Sequence, residues 1–288
     1  MNPTNPPRSI VLLTRRNPEG TADAVRRLAE MCAEAGVELS IPPDEVAKLA
    51  LPSELPGASL GADPEDPDLA VVLGGDGTIL TALRQYTGRN VPVFAMNFGE
   101  IGFLATVERD GLDAGFARAL AGDFEVLELP ALTVKTSGGD KLAVNDISFH
   151  RRQDLRVAEL GYSVVGEELG EVRCDGLVVA TPAGSTGYNL ANGGPVLAWG
   201  VSGYVVSFIA PHTLTARALV VAPNDVLQVV NRSHSDPVDL TTDGRLVCAL
   251  EPEERVEVRF GEGLTCLAQV PGATFYKRMR DKFGRLSY

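Results

Sequence analysis

Cysteine, histidine and tryptophan are scarce in this chain of 288 residues, with four, three and one copies respectively. The cysteines are Cys32, Cys174, Cys248 and Cys266. They include no close pair and no spacing typical of a metal site, and the histidines are equally dispersed. We therefore expect neither a disulfide framework nor a zinc centre. Reduced, scattered thiols are typical of a cytosolic protein, so we expect a cytoplasmic location.

Positive charge is also in short supply, because 26 Lys and Arg residues stand against 38 Asp and Glu residues, a net charge of −12. This balance disfavours a nucleic-acid backbone or an anionic membrane surface as partner, although local Arg residues can still bind a small phosphorylated ligand.

Residues 176–216 lack Asp, Glu, Lys and Arg, yet their many polar and turn-forming residues argue against a membrane span. We interpret this segment as buried backbone around a ligand. The start of the chain, residues 1–8, has no apolar core typical of a signal peptide.

The order of apolar segments predicts two domains. Strand and helix signals alternate over residues 9–125, which predicts an α/β N-terminal domain with a parallel sheet. Strand-like runs with short turns follow over 126–271, which predicts an all-β, sandwich-like C-terminal domain. A basic helix over 276–285 is expected to pack back on the first domain, so that 272–288 belongs with 1–125.

Several individual elements follow from the same patterns. A helix between Thr21 and Gly36 should bury Val25, Leu28, Ala29 and Cys32 on one face. Residues 42–68 contain six prolines, which predicts a surface loop, with a mobile lid as the alternative. The predicted strands of the second domain are 131–135, 142–149, 158–165, 176–180, 204–209, 218–221, 226–230, 238–241 and 256–260.

The turn Gly74-Gly75-Asp76-Gly77-Thr78 joins an apolar strand-like run to a helix-like run. Glycines let the backbone approach a bulky anion, and a helix N-terminus attracts its charge, so Gly74, Gly75, Gly77 and Thr78 are candidate phosphate-binding residues. Asp76 would repel phosphate unless a metal ion or a reacting hydroxyl group lay between them. This favours phosphoryl transfer, with Asp76 as a base or a metal partner. A simple Asp-Gly turn is the alternative.

Two better-known phosphate motifs are missing from the sequence. No Gly-x-x-x-x-Gly-Lys-Ser/Thr segment occurs, which excludes a P-loop enzyme. Leu80 stands where a dinucleotide fingerprint that began with Gly75 and Gly77 would have its third glycine. No Lys or Arg adjoins the turn, so we expect a metal ion to neutralise phosphate charge there.

A second turn, Gly184-Ser185-Thr186-Gly187-Tyr188, is rich in hydroxyl groups that could hold ribose and phosphate oxygens, although a plain polar loop is the alternative. Together with the glycine turn, it makes the chain resemble the NAD kinases. Further motifs in the family's order are Asn97-Phe98-Gly99-Glu100-Ile101-Gly102-Phe103-Leu104, Asn145-Asp146, Pro211-His212-Thr213-Leu214 and Asp243-Gly244.

The resemblance implies NAD bound between the two domains and transfer of a phosphoryl group from ATP or polyphosphate to the 2′-hydroxyl group of the adenosine ribose, giving NADP. It implies a homodimer or homotetramer in which a neighbouring subunit can complete the site. It also implies Mg²⁺ held largely by the donor's phosphates, with no metal site made by protein ligands alone. Donor choice, NADH acceptance and feedback by NADP are not readable from the sequence.

The resemblance also implies roles for single residues. Asp76 would be the catalytic base that accepts the proton of the 2′-hydroxyl group. Asp146 stands where many members have Glu, Gly187 where Ala is frequent and Arg245 where many have Gln. The residues implied in NAD binding are Gly77, Phe103, Asn145, Asp146, Arg156, Arg173, Asp175, Thr186, Gly187, Tyr188, Asn189, Leu190, Ala191, Ala210, Asp243 and Arg245.

Two other functions are compatible with the glycine turn. A lipid kinase of the diacylglycerol or sphingosine type shares this turn, but it needs an apolar acceptor channel and membrane contact, which an acidic chain disfavours. A non-catalytic dinucleotide sensor could use the same scaffold. Asp76 argues against the sensor, because a carboxylate near phosphate gives pure binding no advantage.

Overall fold

The structure of the protein is a computed structural model that describes residues 5–15, 20–99, 102–152 and 156–284. Residues 1–4, Glu100 and Ile101 of the predicted motif, and Arg285 of the predicted last helix lie outside these ranges. Within them, no helix combines the length and apolar character needed to cross a membrane. All four cysteines are free thiols.

Strands and helices alternate in the first part of the chain, and strands dominate the second part. The first part contains β1 (Ser9–Thr14), α1 (Ala22–Ala35), β2 (Glu38–Ile41), α2 (Pro43–Leu49), β3 (Ser59–Leu60), β4 (Leu69–Gly74), α3 (Asp76–Gln85), β5 (Pro92–Asn97), β6 (Val107–Glu108) and α4 (Leu112–Ala121). The second part contains β7 (Glu125–Thr136), β8 (Gly139–Ala143), β9 (Asp146–Arg151), β10 (Ala158–Val164), β11 (Glu167–Cys174), β12 (Gly176–Ala180), α5 (Tyr188–Ala191), β13 (Tyr204–Ile209), β14 (Leu219–Val221), β15 (Leu227–Asn231), β16 (Val238–Thr242), β17 (Arg245–Leu250), β18 (Arg255–Gln269) and α6 (Phe275–Phe283). Turns of 3₁₀ helix, Arg109–Gly111 and Gly184–Thr186, precede α4 and α5.

The chain divides into two compact units. Unit 1 comprises Met1–Glu128 and Thr265–Tyr288, and unit 2 comprises Leu129–Leu264. The chain leaves unit 1 within β7 and returns to it within β18. Unit 2 therefore ends before the predicted boundary at 271, because the last residues of the long strand β18 belong to unit 1.

Unit 1 contains a parallel sheet with the strand order β3-β2-β1-β4-β5, and residues 266–268 of β18 run parallel to β5. All residues of β4 are buried, as expected for a strand covered on both faces. Helix α1 buries the predicted face of Val25, Leu28, Ala29 and Cys32, and it ends at Gly36, whose φ of 68° is left-handed. These features confirm the predicted α/β domain with a parallel sheet.

The proline-rich segment 42–68 contains α2 and β3, so the prediction of a plain surface loop is wrong. Proline at the first helical position and acidic residues in the first turn favour this short helix. Glu45 of α2 is only 6% exposed. Its carboxylate accepts hydrogen bonds from Thr14 Oγ1 and Lys48 Nζ, each at 2.6 Å, and the bond from Thr14 ties α2 to the end of β1.

Unit 2 is built from antiparallel strands. One sheet has the order β14-β13-β12-β9-β16-β17, and a second group has the order β11-β10-β15 followed by the first part of β18. Buried side chains of both groups, such as Phe149, Leu160 and Leu177, belong to a single core cluster. This arrangement confirms the predicted all-β, sandwich-like domain.

Several strands of unit 2 differ from the predictions. The predicted strand 142–149 is two strands, because β8 ends at Ala143 and β9 begins at Asp146. Strands β11 and β17 are not predicted at all. Each lies at the end of its strand order, and most of its residues are exposed or half-buried, so the apolar alternation that reveals a strand is weak.

Candidate active site

The glycine turn lies between the last residue of β4 and the first residue of α3. Gly75 has a φ of −93°, so its backbone is not left-handed, and the lack of space for a side chain falls on its neighbours Gly74 and Gly99. A Cβ on Gly74 would lie 2.6 Å from the side chain of Thr78, and a Cβ on Gly99 would lie 3.2 Å from the Cα of Gly75. Bare backbone of this kind permits the close approach of a phosphate group.

The carboxylate of Asp76, at the start of α3, is held by two consecutive backbone N–H groups. The nitrogen of Phe103 lies 2.8 Å from Oδ2 and 3.1 Å from Oδ1, and the nitrogen of Leu104 lies 3.1 Å from Oδ1. Burial raises the pKa of the Asp76 carboxyl group above its ordinary value, although these N–H groups and the cations Arg278 and Lys282 act against the rise. The raised pKa makes Asp76 a better proton acceptor than an ordinary aspartate.

Helix α6 brings two cations, Arg278 and Lys282, close enough to lower the pKa of Asp76. Arg278 donates from Nη1 to the carbonyl oxygen of Phe103 at 2.9 Å and also to that of Ala105. Burial lowers the pKa of Arg278 to about 10, so its guanidinium group is still charged at neutral pH. No Lys or Arg adjoins the glycine turn in the sequence, but the fold brings these two cations near Asp76 from the other end of the chain.

Glu108 connects Lys282 to the end of β5. Lys282 Nζ donates to Oε1 of Glu108 at 2.9 Å, and Asn97 Nδ2 donates to Oε2 at 2.8 Å. Burial would raise the pKa of Glu108, but these two hydrogen bonds, together with the charges of Lys282 and Arg278, outweigh it and hold the pKa below its ordinary value. Asn97 Oδ1 accepts a hydrogen bond from the N–H of Gly99 at 2.9 Å. This chain of contacts fixes the position at which Gly99 approaches Gly75.

Phe103 and Gly77 are predicted members of the nucleotide pocket. The ring of Phe103 packs on α6, with its centroid 5.8 Å from that of Phe275 and 5.9 Å from that of Phe283, and the residue is 8% exposed. Its backbone faces Asp76. Gly77 is exposed, and a Cβ added to it would meet no described atom within 4 Å, which leaves open space beside Asp76.

In unit 2, Asp243 holds the predicted pair Asn145-Asp146. Its carboxylate accepts hydrogen bonds from the N–H groups of Val144 at 3.1 Å, Asn145 at 2.7 Å and Asp146 at 3.1 Å. The Oδ1 atom of Asn145 is buried and has no hydrogen-bond partner in the part of the chain that the structure describes. A buried amide oxygen of this kind is suited to accept a hydrogen bond from a ligand.

Asp146 lies in the same segment and is 7% exposed. Burial, together with the charge of Asp243, raises the pKa of Asp146 to about 7. A carboxyl group with this pKa can donate or accept a hydrogen bond near neutral pH, which suits contact with a ligand hydroxyl group.

The hydroxyl-rich turn is fixed against the same segment. Thr181 Oγ1 donates to the carbonyl oxygen of Val144 at 2.7 Å and accepts the N–H of Gly184 at 3.0 Å. A Cβ on Gly184 would lie 2.0 Å from the carbonyl oxygen of Asn145, so only glycine can occupy this position. The turn and the Asn145 segment therefore form one structural element of unit 2.

Tyr188 begins α5 and is 38% exposed. Its ring stacks on that of His150, and Nε2 of His150 lies 2.8 Å from Ser148 Oγ, which lies 2.7 Å from Thr241 Oγ1. Burial lowers the pKa of His150, against the charge of Asp239, so the imidazole is neutral at neutral pH. His150 is thus held in place by hydrogen bonds, and its ring supports the ring of Tyr188.

Asn189 is fully buried, unlike the other predicted residues of this region. Its Nδ2 donates to the carbonyl oxygens of Ser185 and Pro195, each at 2.9 Å, so its side chain holds the turn together. Half-buried Thr186 and Leu190 and exposed Gly187 and Ala191 complete the predicted set here.

Asp175 forms an ion pair with Arg151, with Nε 2.5 Å from Oδ1. Burial and the charges of Asp146 and Asp175 raise the pKa of Tyr188, so the structure brings these three residues into one electrostatic environment. Ala210 has a left-handed φ of 43°, which is unusual for alanine. Arg156, Arg173, Ala210 and Arg245 are exposed.

Sequence reasoning missed Arg278, Lys282 and His150 as members of the two groups of site residues. The two cations are part of the predicted basic helix, but nothing in the local sequence connects that helix to Asp76. His150 lies on β9, four residues after Asp146, and strand periodicity alone would place both side chains on one face.

The candidate site offers few side chains that could hold a metal ion. Over the described ranges, no group of three or more His, Cys, Asp or Glu side chains could hold a metal ion. Both carboxylate oxygens of Asp76 already accept backbone N–H groups. These residues do not fit a metal centre made by protein ligands alone.

Comparison with known proteins identifies the family. The model described as ATP-NAD kinase N-terminal domain matches residues 57–124, and that described as ATP-NAD kinase C-terminal domain matches residues 144–269. The NAD kinase of Syntrophotalea carbinolica is 34% identical over 229 residues, which cover 78% of this chain and 80% of the relative. The NAD kinase of Ralstonia nicotianae is 31% identical over 302 residues, which cover 98% and 94%. The chain belongs to the NAD kinase family, which confirms the resemblance seen in its motifs.

Solved structures share the fold. The crystal structure of yeast NADH kinase complexed with NADH matches 99% of this chain and 89% of its own, with a TM-score of 0.86 and 24% identity. The crystal structure of an NAD kinase from Archaeoglobus fulgidus in complex with ATP matches 96% and 97%, with a TM-score of 0.72 and 23% identity. At these sequence identities, the similarity shows that this chain shares the fold of the two structures.

Proposed function

We propose that the protein is a phosphotransferase that moves the terminal phosphoryl group of a donor to the 2′-hydroxyl group of the adenosine ribose of NAD, giving NADP. The observation that carries this proposal is the Asp76 carboxylate, held by two backbone N–H groups beside the glycine turn with its pKa raised. Membership of the NAD kinase family supports the choice of acceptor.

In the proposed step, the 2′-oxygen attacks the terminal phosphorus, the bond from phosphorus to the donor's bridging oxygen breaks, and Asp76 accepts the hydroxyl proton. A positioned base typically contributes a factor of about 10²–10⁴ in rate. Holding the hydroxyl group and the phosphorus in line can contribute about 7–11 kcal/mol of the barrier. The N–H groups of Phe103 and Leu104 fix the carboxylate, so it loses little freedom on reaction.

We assign NAD binding mainly to unit 2. The unpartnered Oδ1 of Asn145 accepts a hydrogen bond from the ligand, and Asp146 contacts a ribose hydroxyl group. Tyr188 offers a supported aromatic face to a nucleotide ring. Within this proposal, the remaining predicted contacts are Gly77, Phe103, Arg156, Arg173, Asp175, Thr186, Gly187, Asn189, Leu190, Ala191, Ala210, Asp243 and Arg245.

The donor in this proposal is ATP or polyphosphate, accompanied by Mg²⁺ bound through the donor's phosphates. We assign donor phosphates to the bare backbone of Gly74, Gly75 and Gly77 and to Thr78. A cytoplasmic homodimer or homotetramer, in which Asp175 reaches the ligand of a neighbouring subunit, completes the proposal.

The test is an acceptor and donor panel with the purified protein. NAD, NADH or diacylglycerol is incubated with ATP or polyphosphate and MgCl₂, and NADP is detected with an NADP-dependent dehydrogenase. We expect NADP from NAD. Phosphorylated lipid would favour the lipid kinase instead, and calorimetric NAD binding without NADP formation would favour the sensor.

A further inference from the structure

A single peptide group connects Arg278 to Asp76. The carbonyl oxygen of Phe103 accepts a hydrogen bond from Arg278 Nη1 at 2.9 Å, and the N–H of Leu104, on the same peptide, donates to Asp76 Oδ1 at 3.1 Å. A cation on the carbonyl side polarises a peptide group and so strengthens its N–H as a donor. The guanidinium group therefore acts on the carboxylate through one intervening peptide.

The backbone of residues 103–105 is held on its carbonyl side by the C-terminal part of unit 1. Arg278 also donates to the carbonyl oxygen of Ala105, and Gln269 Nε2 donates to that of Leu104 at 3.4 Å. Gln269 Oε1 in turn accepts a hydrogen bond from Arg278 Nη2. Three successive carbonyl groups are thus bound by two side chains that also bind each other.

Packing alone does not account for a charged residue at this position. Arg278 is half-buried, and burial acts against its charged form. Apolar side chains of similar size often replace buried ions without loss of stability, so helix docking would not require a guanidinium group. Phe275 and Phe283 already pack α6 on Phe103.

We propose that Arg278 is a positioning residue for phosphoryl transfer. It fixes residues 103–105 so that the N–H groups of Phe103 and Leu104 hold the Asp76 carboxylate in the orientation that accepts the 2′-hydroxyl proton. The inference rests on the proposed function, because that function gives Asp76 its role. Arg278 acts through the backbone and does not contact the substrate.

The charged groups that face Asp76 set the expected pH effect. Arg278 and Lys282 of α6 favour the ionised carboxylate, while Glu108, at the end of β6, is paired with Lys282. Removal of the Arg278 charge should therefore raise the pKa of Asp76 and move the acidic limb of the kcat profile to higher pH.

The test compares Arg278→Met and Arg278→Lys with Arg280→Met, a control on the same helix whose side chain is 65% exposed. We expect Arg278→Met to lower kcat by roughly ten- to a hundredfold, as for loss of a charged hydrogen bond, with KM for NAD little changed. Arg278→Lys keeps the charge, so its acidic limb should stay at the wild-type pH and its kcat should be intermediate. The control, Arg280→Met, should match the wild type in kcat and in the pH of the acidic limb.

Guanidinium ion added to the Arg278→Ala variant supplies a further readout. We expect partial recovery of kcat, because the ion can restore activity only in a folded site that lacks just the guanidinium group. Wild-type kcat and pH profile in Arg278→Met would overturn the proposal. So would equal losses in the Met and Lys variants with an unmoved acidic limb and no recovery with guanidinium. Failure of the wild type to form NADP would instead refute the proposed function.

Discussion

The imidazole ring of His150 stacks on the phenol ring of Tyr188, with ring centroids 5.6 Å apart and planes 25° apart. His150 is itself held by Ser148, whose Oγ lies 2.8 Å from Nε2. An exposed tyrosine that is supported from one side presents a fixed aromatic face. This face is suited to a nucleotide ring.

We expect His150→Ala to raise KM for NAD by about two- to tenfold, because a stacked aromatic pair contributes about 0.5–1.5 kcal/mol. The value of kcat at saturating NAD should be unchanged. His150→Phe keeps a flat ring and should stay closer to the wild type, and His234→Ala, at an exposed position, is the control. Initial rates at varied NAD give both constants. A fall in kcat without a rise in KM would contradict this role for the pair.

Asp243 should contribute to stability as well as to the site. We expect Asp243→Ala to lower the free energy of unfolding by about 1–3 kcal/mol, because the N–H groups of residues 144–146 lose their acceptor. Asp243→Asn should lose less, since asparagine keeps one oxygen and tolerates the left-handed φ of 44°. Urea unfolding measures both, with the exposed Asp140→Ala as control. Equal stability of Asp243→Ala and the wild type would contradict a stabilising role for the hydrogen bonds that the Asp243 carboxylate accepts.

Asp146 should make stability depend on pH. Its pKa in the fold is about 7, against an ordinary value of 3.8, so the native state keeps a proton that the unfolded chain releases. The stabilisation is complete below pH 3.8 and is lost as the pH rises through about 7. In urea unfolding from about pH 4 to about pH 8, the wild type should lose more stability than Asp146→Asn across this window. Parallel curves for the two proteins would show that the pKa is not raised.

The elements that the sequence predicts well are those whose burial follows a simple period. Helix α1 has its apolar residues on one face, β12 is a continuous apolar run, and β13 is apolar apart from Ser207, so the sequence pattern is enough to predict all three. Among the described strands, β11 and β17 each pair with one neighbour and carry few buried residues, so no apolar pattern predicts them.

Other features depend on contacts between residues far apart in the chain. The break between β8 and β9 exists because Asp243, nearly a hundred residues later, binds the N–H groups of Val144 and Asn145. Asp76 is recognisable in the sequence from the glycines around it, but Arg278, which binds the peptide group that holds its carboxylate, comes from the other end of the chain. Motif spacing can identify the carboxylate, whereas only the fold identifies what sets its orientation and charge.

The most direct test of the account is the Asp76→Asn variant, with kcat and the Kd for NAD measured on the same preparation. The amide group of asparagine cannot take up the hydroxyl proton. Only its oxygen can accept the two backbone N–H groups, so its NH₂ group would have to point away from them. We predict a kcat at least about a hundredfold below the wild type, as expected for loss of a positioned base, with a nearly unchanged Kd for NAD. A variant that forms NADP at the wild-type rate would contradict the assignment of Asp76 as the base.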